Sequence, residues 1–497
     1  MKTYAACLLT SFLMMTMALP SPPARTQASS SGWAITGGVL IDGTGAPPLA
    51  ASVIVGHGDR IACVGTTTDC RVPLGAATVD AAGTWIIPGL IDTHVHLNWS
   101  HEGDASRSQL VRFAFGTTAT REAGTFDQLE ENLKARARAE SADLPEPRVI
   151  VSGLVQPELG QNTPPAAAAI VRRLADMGVD AIKIKGDYGA ETLAAIGREA
   201  DAFGLPVFGH TWGRDSFLLA ALDAGFDGVS HMYTFSEFGK RADPARPPAP
   251  AGLAYWVWVK ELWNYQDETR LREASDKLIE RGAWIEPMLV TEKHFTFDYP
   301  LPADVAYLGE VRSLEKLVRL ALPVGDTGWV ARGKRHDRID AVYGKMCEFV
   351  RRFHAHGGMV ITGTDDMQPG MGLLDEIAFL TGCGLTPIAA LRAATERAAA
   401  AVRRDDLGTL APGKRADMVV LKGDPVADPA NLRRIFRVVK GGHVYEPAAL
   451  LQDLVADYEA RRRLAWTVRL AGGSTLLLMT GALAIVQRRR RKLRRSA

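Results

Sequence analysis

Short runs of alternating apolar and polar residues open the chain: WAITGGVLID, ASVIVGHGDRIACVG and ATVDAAGTWII, between Gly32 and about Ala82. A period of two puts one face of a strand in a core and the other in solvent, and the interrupting Gly, Pro and Asp supply turns. DLGTLAPGKRADMVVLKGD and RVVKGGHVY repeat this texture near the other end. The two segments are expected to make one small β-sandwich, closed only after everything between them has been threaded. From about Pro88 to Arg404 the pattern changes. Apolar runs of strand length alternate with stretches of helical period, such as ETLAAIGREADAFG and DKLIERG, which predicts parallel strands joined by helices. The strand candidates are IIPGLIDTHVH, TTATRE, PRVIVSG, VDAIKIK, PVFGH, DGVSH, AWIEPML and GMVITGTD. Eight βα units close a TIM barrel, whose active sites sit at the C-terminal ends of the strands. Two connections exceed ordinary length, Thr234 to about Asp267 and Thr291 to about Ile339; both follow strand ends and are expected to cap the site.

The ends read differently. Lys2, the apolar run Tyr4 to Leu19 and a Pro/Ser-rich stretch ending near Ala28 have the layout of a cleaved secretory signal. Leu470 to Val486 is apolar, uncharged and bounded by basic residues, at the short limit for a helix crossing about 30 Å of hydrocarbon. Its distal positive charge places the tail in the cytoplasm and the body outside. Gly472-Gly473, the apolar run and the basic cluster also resemble the C-terminal sorting signals of bacterial surface proteins. The expected layout is a signal peptide at 1–28, sandwich at 29–87, barrel with cap insertions at 88–404, sandwich again at 405–446, a juxtamembrane helix at 447–469, a transmembrane or sorting segment at 470–487 and a basic tail at 488–497.

Composition adds little to this except by exclusion. The chain has 497 residues, 47% hydrophobic and 23% charged, as expected of a folded enzyme-sized protein. Seven of its 58 basic residues lie between Arg488 and Arg495, leaving 51 against 56 acids elsewhere, so nothing points to nucleic acid. The expected partners are a small-molecule or peptide substrate, the membrane and, in a homo-oligomer, further copies of the chain. Cys63 and Cys70 lie in a hairpin-like region where an oxidising compartment could join them, whereas Cys347 and Cys383 read as buried thiols.

The chemistry gathers at the predicted strand ends. His94-x-His96 closes the first strand with two imidazoles on one face, Lys183 lies in the fourth, His210 ends the fifth, His231 the sixth and Asp365 the eighth. Eleven histidines scattered at random would fall mostly on loops. His354-x-His356 has the same spacing inside a helical pattern, where the two side chains diverge, and reads as structural. A lysine pointing into a barrel is desolvated, which favours its neutral amine and makes it nucleophilic towards carbon dioxide. The resulting carbamate can bridge two metals about 3.5 to 4 Å apart. Lys185, on the same face, competes as the ligand or as a substrate-binding cation; alternatively both lysines pair with acids such as Asp187.

Taken together, PGLIDTHVH, GVDAIKIK, LPVFGH, DGVSH, ITGTD and LGTLAPGKRADMVVL resemble the amidohydrolase superfamily, and within it the imidazolonepropionase-like and prolidase-like branch, over about residues 33–446. The resemblance implies a (β/α)8 barrel with a flanking sandwich and a metal centre. His94, His96 and Asp365 would hold one divalent ion, His210 and His231 the other, and carboxylated Lys183 would bridge them, with two zinc ions expected. It further implies hydrolysis of a C–N amide bond in a dipeptide, N-acyl compound or cyclic amide, with Asp365 rather than Asp366 moving the proton. Tyr233 could donate to the carbonyl oxygen or bind a substrate carboxylate, or simply pack in the cap. The loop after SGLVQPELG and the continuation GTDDMQPG depart from the family pattern at the barrel mouth, leaving the substrate open. Arg121, Arg214, Lys185 and the cap residues Trp256, Trp258 and Trp263 could grip an acidic or extended substrate, or belong to the surface or cap core. A mononuclear deaminase of the same superfamily is the alternative, but it would want a glutamate soon after His210, where Thr-Trp-Gly-Arg stands, and would leave Lys183 unused. A non-catalytic surface binding protein would have lost ligands, and none is lost.

Overall fold

Alternation at the N-terminal end produces six strands: β1 (Trp33–Thr36), β2 (Val39–Leu40), β3 (Val53–His57), β4 (Arg60–Gly65), β5 (Ala77–Asp80) and β6 (Trp85–Pro88). The computed structural model describes residues 32–97, 105–124, 128–210, 217–239, 254–294, 336–365 and 369–452. Its C-terminal strands are β15 (Met418–Leu421), β16 (Ile435–Lys440) and β17 (His443–Tyr445). One sheet has the order β4-β3-β1-β5; the other, β17-β16-β15-β6-β2, joins the two ends of the chain through antiparallel pairing of β6 with β15, Ile86 opposite Val420. Trp33, Ile35, Ile54, Ile86, Met418 and Val420 fill the core between the sheets. The sequence run IIPGLIDTHVH is thus split at Pro88-Gly89, its first part serving the sandwich and its second the barrel.

The barrel strands are β7 (Leu90–Val95), β8 (Thr117–Glu122), β9 (Arg148–Val155), β10 (Ala181–Lys185), β11 (Val207–His210), β12 (Gly228–Ser230), β13 (Trp284–Glu286) and β14 (Met359–Val360). They lie parallel in chain order. Thr93 N donates to Thr362 O at 3.0 Å and Asp365 N to His94 O at 2.8 Å, which brings the end of the sheet back to its beginning in a TIM-barrel-like arrangement. Every side chain of β7 and β8 is buried, polar ones included. The crossover helices carry ordinary signals: Asp267 caps the helix Glu268–Arg281 by accepting from the Thr269 and Arg270 amides, and Gly282 ends it in the left-handed conformation at φ 65°.

Sandwich and barrel are clamped by charge. Arg148, at the start of β9, is fully buried and donates to both carboxylate oxygens of Asp417, at 2.7 and 3.2 Å, and to Glu140 at 2.9 Å. Removing one member of a buried pair leaves the other uncompensated. Arg148→Met should therefore lower the unfolding free energy by about 3–5 kcal/mol. Denaturant titration checks this, and an unchanged midpoint would mean that the pair contributes nothing.

Two sequence expectations change. Cys347 and Cys383 are not separate thiols: they are joined, tying the helix His336–Ala355 to the end of the helix Met371–Gly382, and Cys63 is joined to Cys70. The fold class is corrected at its C-terminal membrane element. Among the described residues no helix is long and apolar enough to cross a membrane, and residues 470–487 lie outside them, as does the signal segment 1–28. Residues 447–452, at the start of the expected juxtamembrane helix, are helical, and Leu450 and Leu451 pack into the barrel's core cluster.

Candidate metal centre

The barrel builds its mouth from strand ends. His94 and His96 leave β7, His210 ends β11, His231 follows β12, and Asp365 comes shortly after β14. One ligand atom from each of His94, His96 and Asp365 falls within 4.8 Å of the others, the donor set of a divalent metal site. His96 Nε2 is 3.1 Å from Asp365 Oδ1, and His94 Nε2 is 3.8 Å from it. The ring centroids of His94 and His231 are 5.1 Å apart, and those of His210 and His231 are 4.9 Å apart. Gly209 lets β11 approach β10, since a Cβ there would lie 2.1 Å from Ile184 O. His231 and Asp365 are both non-glycine residues at positive φ, 67° and 48°. Such backbone costs about 1–3 kcal/mol and concentrates at functional sites.

The two lysines share a face of β10 and differ in depth, Lys185 being the strand's last residue. Lys183, level with Phe208, is buried, and its Nζ makes no hydrogen bond among the described residues; it lies 4.9 Å from the Phe208 ring centroid. Lys185, level with His210, is exposed. Pairing of Lys183 with Asp187 is therefore not what the fold provides. Burial, with the Arg121 charge adding to it, brings the Lys183 ammonium down to about 7. Burial and the nearby Lys183 charge bring His94 down to about 4 and hold His210 well below its ordinary value; burial does the same for His231. His96 goes the other way, to about 9, because the nearby Asp365 and Glu122 carboxylates outweigh burial. Asp365 is held well below the carboxylate range: burial opposes this, but the bond from His96 and the surrounding imidazoles prevail. The imidazoles of His94, His210 and His231 held neutral, a carboxylate and a buried amine without a hydrogen bond fit divalent ions.

Several candidates do not face a substrate. Arg121 is fully buried beneath the site, its guanidinium 3.6 Å from the Phe208 centroid and bonded to Glu286. Trp263 belongs to the core beside Phe349. Trp258 packs with Val259 and Leu262 against Tyr233, which stacks on His231 at 4.6 Å and an interplanar angle of 17°. His354 and His356 stay on their helix, beside Arg397 and the Arg352 carbonyl. Arg214 and Asp366 lie outside the described residues, as does the Trp256 side chain.

Two carboxylates were missed by the sequence reading. Glu286 Oε2 accepts from His94 Nδ1 at 2.7 Å, and Glu122 Oε1 lies 3.7 Å from His96 Nδ1. The available signal was an acid ending an otherwise buried strand, in AWIEPML and TTATRE.

Barrel, sandwich and a ligand cluster at the strand ends define the class: a TIM-barrel-like enzyme whose mouth is built to hold a divalent metal. The Amidohydrolase family model matches residues 85–445, and the chain belongs to that family. It is 26% identical to an imidazolonepropionase of Anaeromyxobacter sp. (strain K), over 82% of this chain and 93% of that one. Its fold resembles a Xaa-Pro dipeptidase crystallised with bound methionine, at 21% identity and a TM-score of 0.61, covering 84% of this chain and all of the other. It also resembles molinate hydrolase, at 21% identity and a TM-score of 0.60, covering 84% and 95%. The protein is a hydrolase acting on carbon–nitrogen bonds, with a small-molecule substrate.

Proposed function

We propose that the protein hydrolyses a non-aromatic amide bond, in a dipeptide, N-acyl compound or cyclic amide, at a centre of two zinc ions. His94, His96 and Asp365 would hold one ion, His210 and His231 the other, and Lys183, carboxylated by carbon dioxide, would supply an anionic ligand to both. The observation that carries this reading is the cluster of His94, His96 and Asp365, with the His231 ring beside His94 and the His210 ring beside His231, and with Lys183 Nζ buried and without a hydrogen bond among the described residues. Bound there, the ions supply the Lewis acidity that makes water nucleophilic near neutral pH. Asp365 takes the proton from the attacking water and returns it to the leaving nitrogen, so the acyl carbon gains the water oxygen as the C–N bond breaks. Tyr233, stacked on His231, directs its hydroxyl to the substrate's carbonyl oxygen or carboxylate. The name of the dipeptidase neighbour supports a dipeptide, and that of the imidazolonepropionase relative supports a cyclic substrate. Export to an oxidising compartment accords with the two Cys–Cys bonds.

Screening dipeptide, N-acyl and lactam libraries should give a substrate whose hydrolysis is lost on dialysis against chelator and returns with Zn2+. Turnover unchanged by complete metal removal would end this reading.

A further inference from the structure

We propose that Glu286 and Glu122 are positioning residues, each holding the Nδ1 edge of one histidine of the His94/His96 pair so that both rings present Nε2 to a metal. The inference rests on the metal centre proposed above. A carboxylate beside Nδ1 accepts a hydrogen bond from the Nδ1–H, which fixes the ring proton there and leaves the lone pair on Nε2. Both Nε2 atoms face Asp365 Oδ1, at 3.8 and 3.1 Å, while both Nδ1 atoms face a glutamate.

Glu286 is the more rigidly held of the two. Its Oε2 accepts from His94 Nδ1 at 2.7 Å and from Ser230 Oγ at 2.8 Å; its Oε1 accepts from Arg121 Nη2 at 3.0 Å and from the Thr93 hydroxyl. The donors come from β7, β8 and β12, so the carboxylate at the end of β13 cannot turn without breaking bonds to three other strands. Arg121 is fixed in turn by its Nε, which donates to Thr93 O at 2.7 Å, and by its seat over Phe208. Gly363 makes room for this packing: a Cβ there would lie 2.7 Å from His94 Cβ and 3.0 Å from Glu286 Cδ. A fully buried carboxylate is expensive unless each lone pair is used, and here one of the four partners is the metal-facing imidazole. Glu122 is looser. Its Oε2 accepts from the Leu97 amide at 2.7 Å, but its Oε1 is 3.7 Å from His96 Nδ1, so its hold should be weaker.

The test is Co2+ affinity of the full chain, measured by competition with a chromophoric chelator, together with the visible spectrum of the Co2+-loaded protein. Glu286→Gln should bind about 10–100-fold more weakly than wild type, the loss typical of a group behind a ligand. Glu122→Gln should lose less, and both spectra should change because a ring has turned. If Glu286→Gln does not fold, Ser230→Ala removes one donor from the same Oε2 and should show a smaller loss in the same direction. Wild-type affinity and spectrum in Glu286→Gln, or in Ser230→Ala where the former is unfolded, would overturn the inference. A wild-type protein that binds no divalent ion would instead overturn the metal centre itself.

Discussion

Lys183→Met should lower the metal content of protein grown with bicarbonate from two ions per chain to one or none, while making the metal-free protein more stable. The two effects share one cause. Lys183 Nζ is buried without a hydrogen-bond partner among the described residues. An unpartnered polar group in that position costs about 1–3 kcal/mol, which an isosteric thioether would recover. The amine is therefore kept at the expense of stability, as expected of a residue retained for function. Its loss should cut hydrolysis by more than the about 10–100-fold typical of residues behind ligands, because a bridge serves both ions. Lys185→Met, in contrast, changes an exposed side chain and should leave the metal content alone. Elemental analysis and thermal melts of the two variants check this. Two ions retained in Lys183→Met would eliminate the carbamate bridge, and a single ion in wild type, retained in the variant, would favour the mononuclear alternative.

Much of the barrel was readable because parallel strands and their helices carry different periods, so each of the eight runs located one strand even where its ends moved. The candidate ligands stand out because chemistry at strand ends is sparse: His94, His96, His210 and His231 stand where apolar runs stop. What could not be read depends on the third dimension. Arg121 looks like a mouth cation along the chain, yet it points inward to Phe208 and Glu286, since only the closed sheet brings β8 across to β11 and β13. Cys347 and Cys383 are 36 residues apart on two different helices, and nothing in their local patterns aligns them. Glu286 became visible as a partner of His94 only once the first and seventh strands met inside one barrel. The C-terminal apolar run has the composition of a span but lies outside the described residues, among which no helix is long and apolar enough to cross a membrane.

Asp365→Asn should reduce kcat by about 10²–10⁴-fold, the range of general acid–base catalysis. The backbone makes this substitution unusually clean. Asp365 sits at φ 48°, in the left-handed region that Asn enters as readily as Asp, whereas Ala would add about 1–2 kcal/mol of strain. Asn also preserves the side-chain shape and an oxygen beside His96 Nε2, which is 3.1 Å from Asp365 Oδ1. What it removes is the charge and the capacity to take a proton from water. Asp365→Ala should therefore lose more stability than Asp365→Asn by that backbone strain, so comparing their thermal midpoints separates the fold from the chemistry. Kinetics on a substrate found by the library screen provide the other readout. If the asparagine variant turns over within tenfold of wild type while still binding metal, the proton acceptor lies elsewhere in the mouth. Tyr233 would then be the first group to test, since it stacks on the ring of His231 at 4.6 Å.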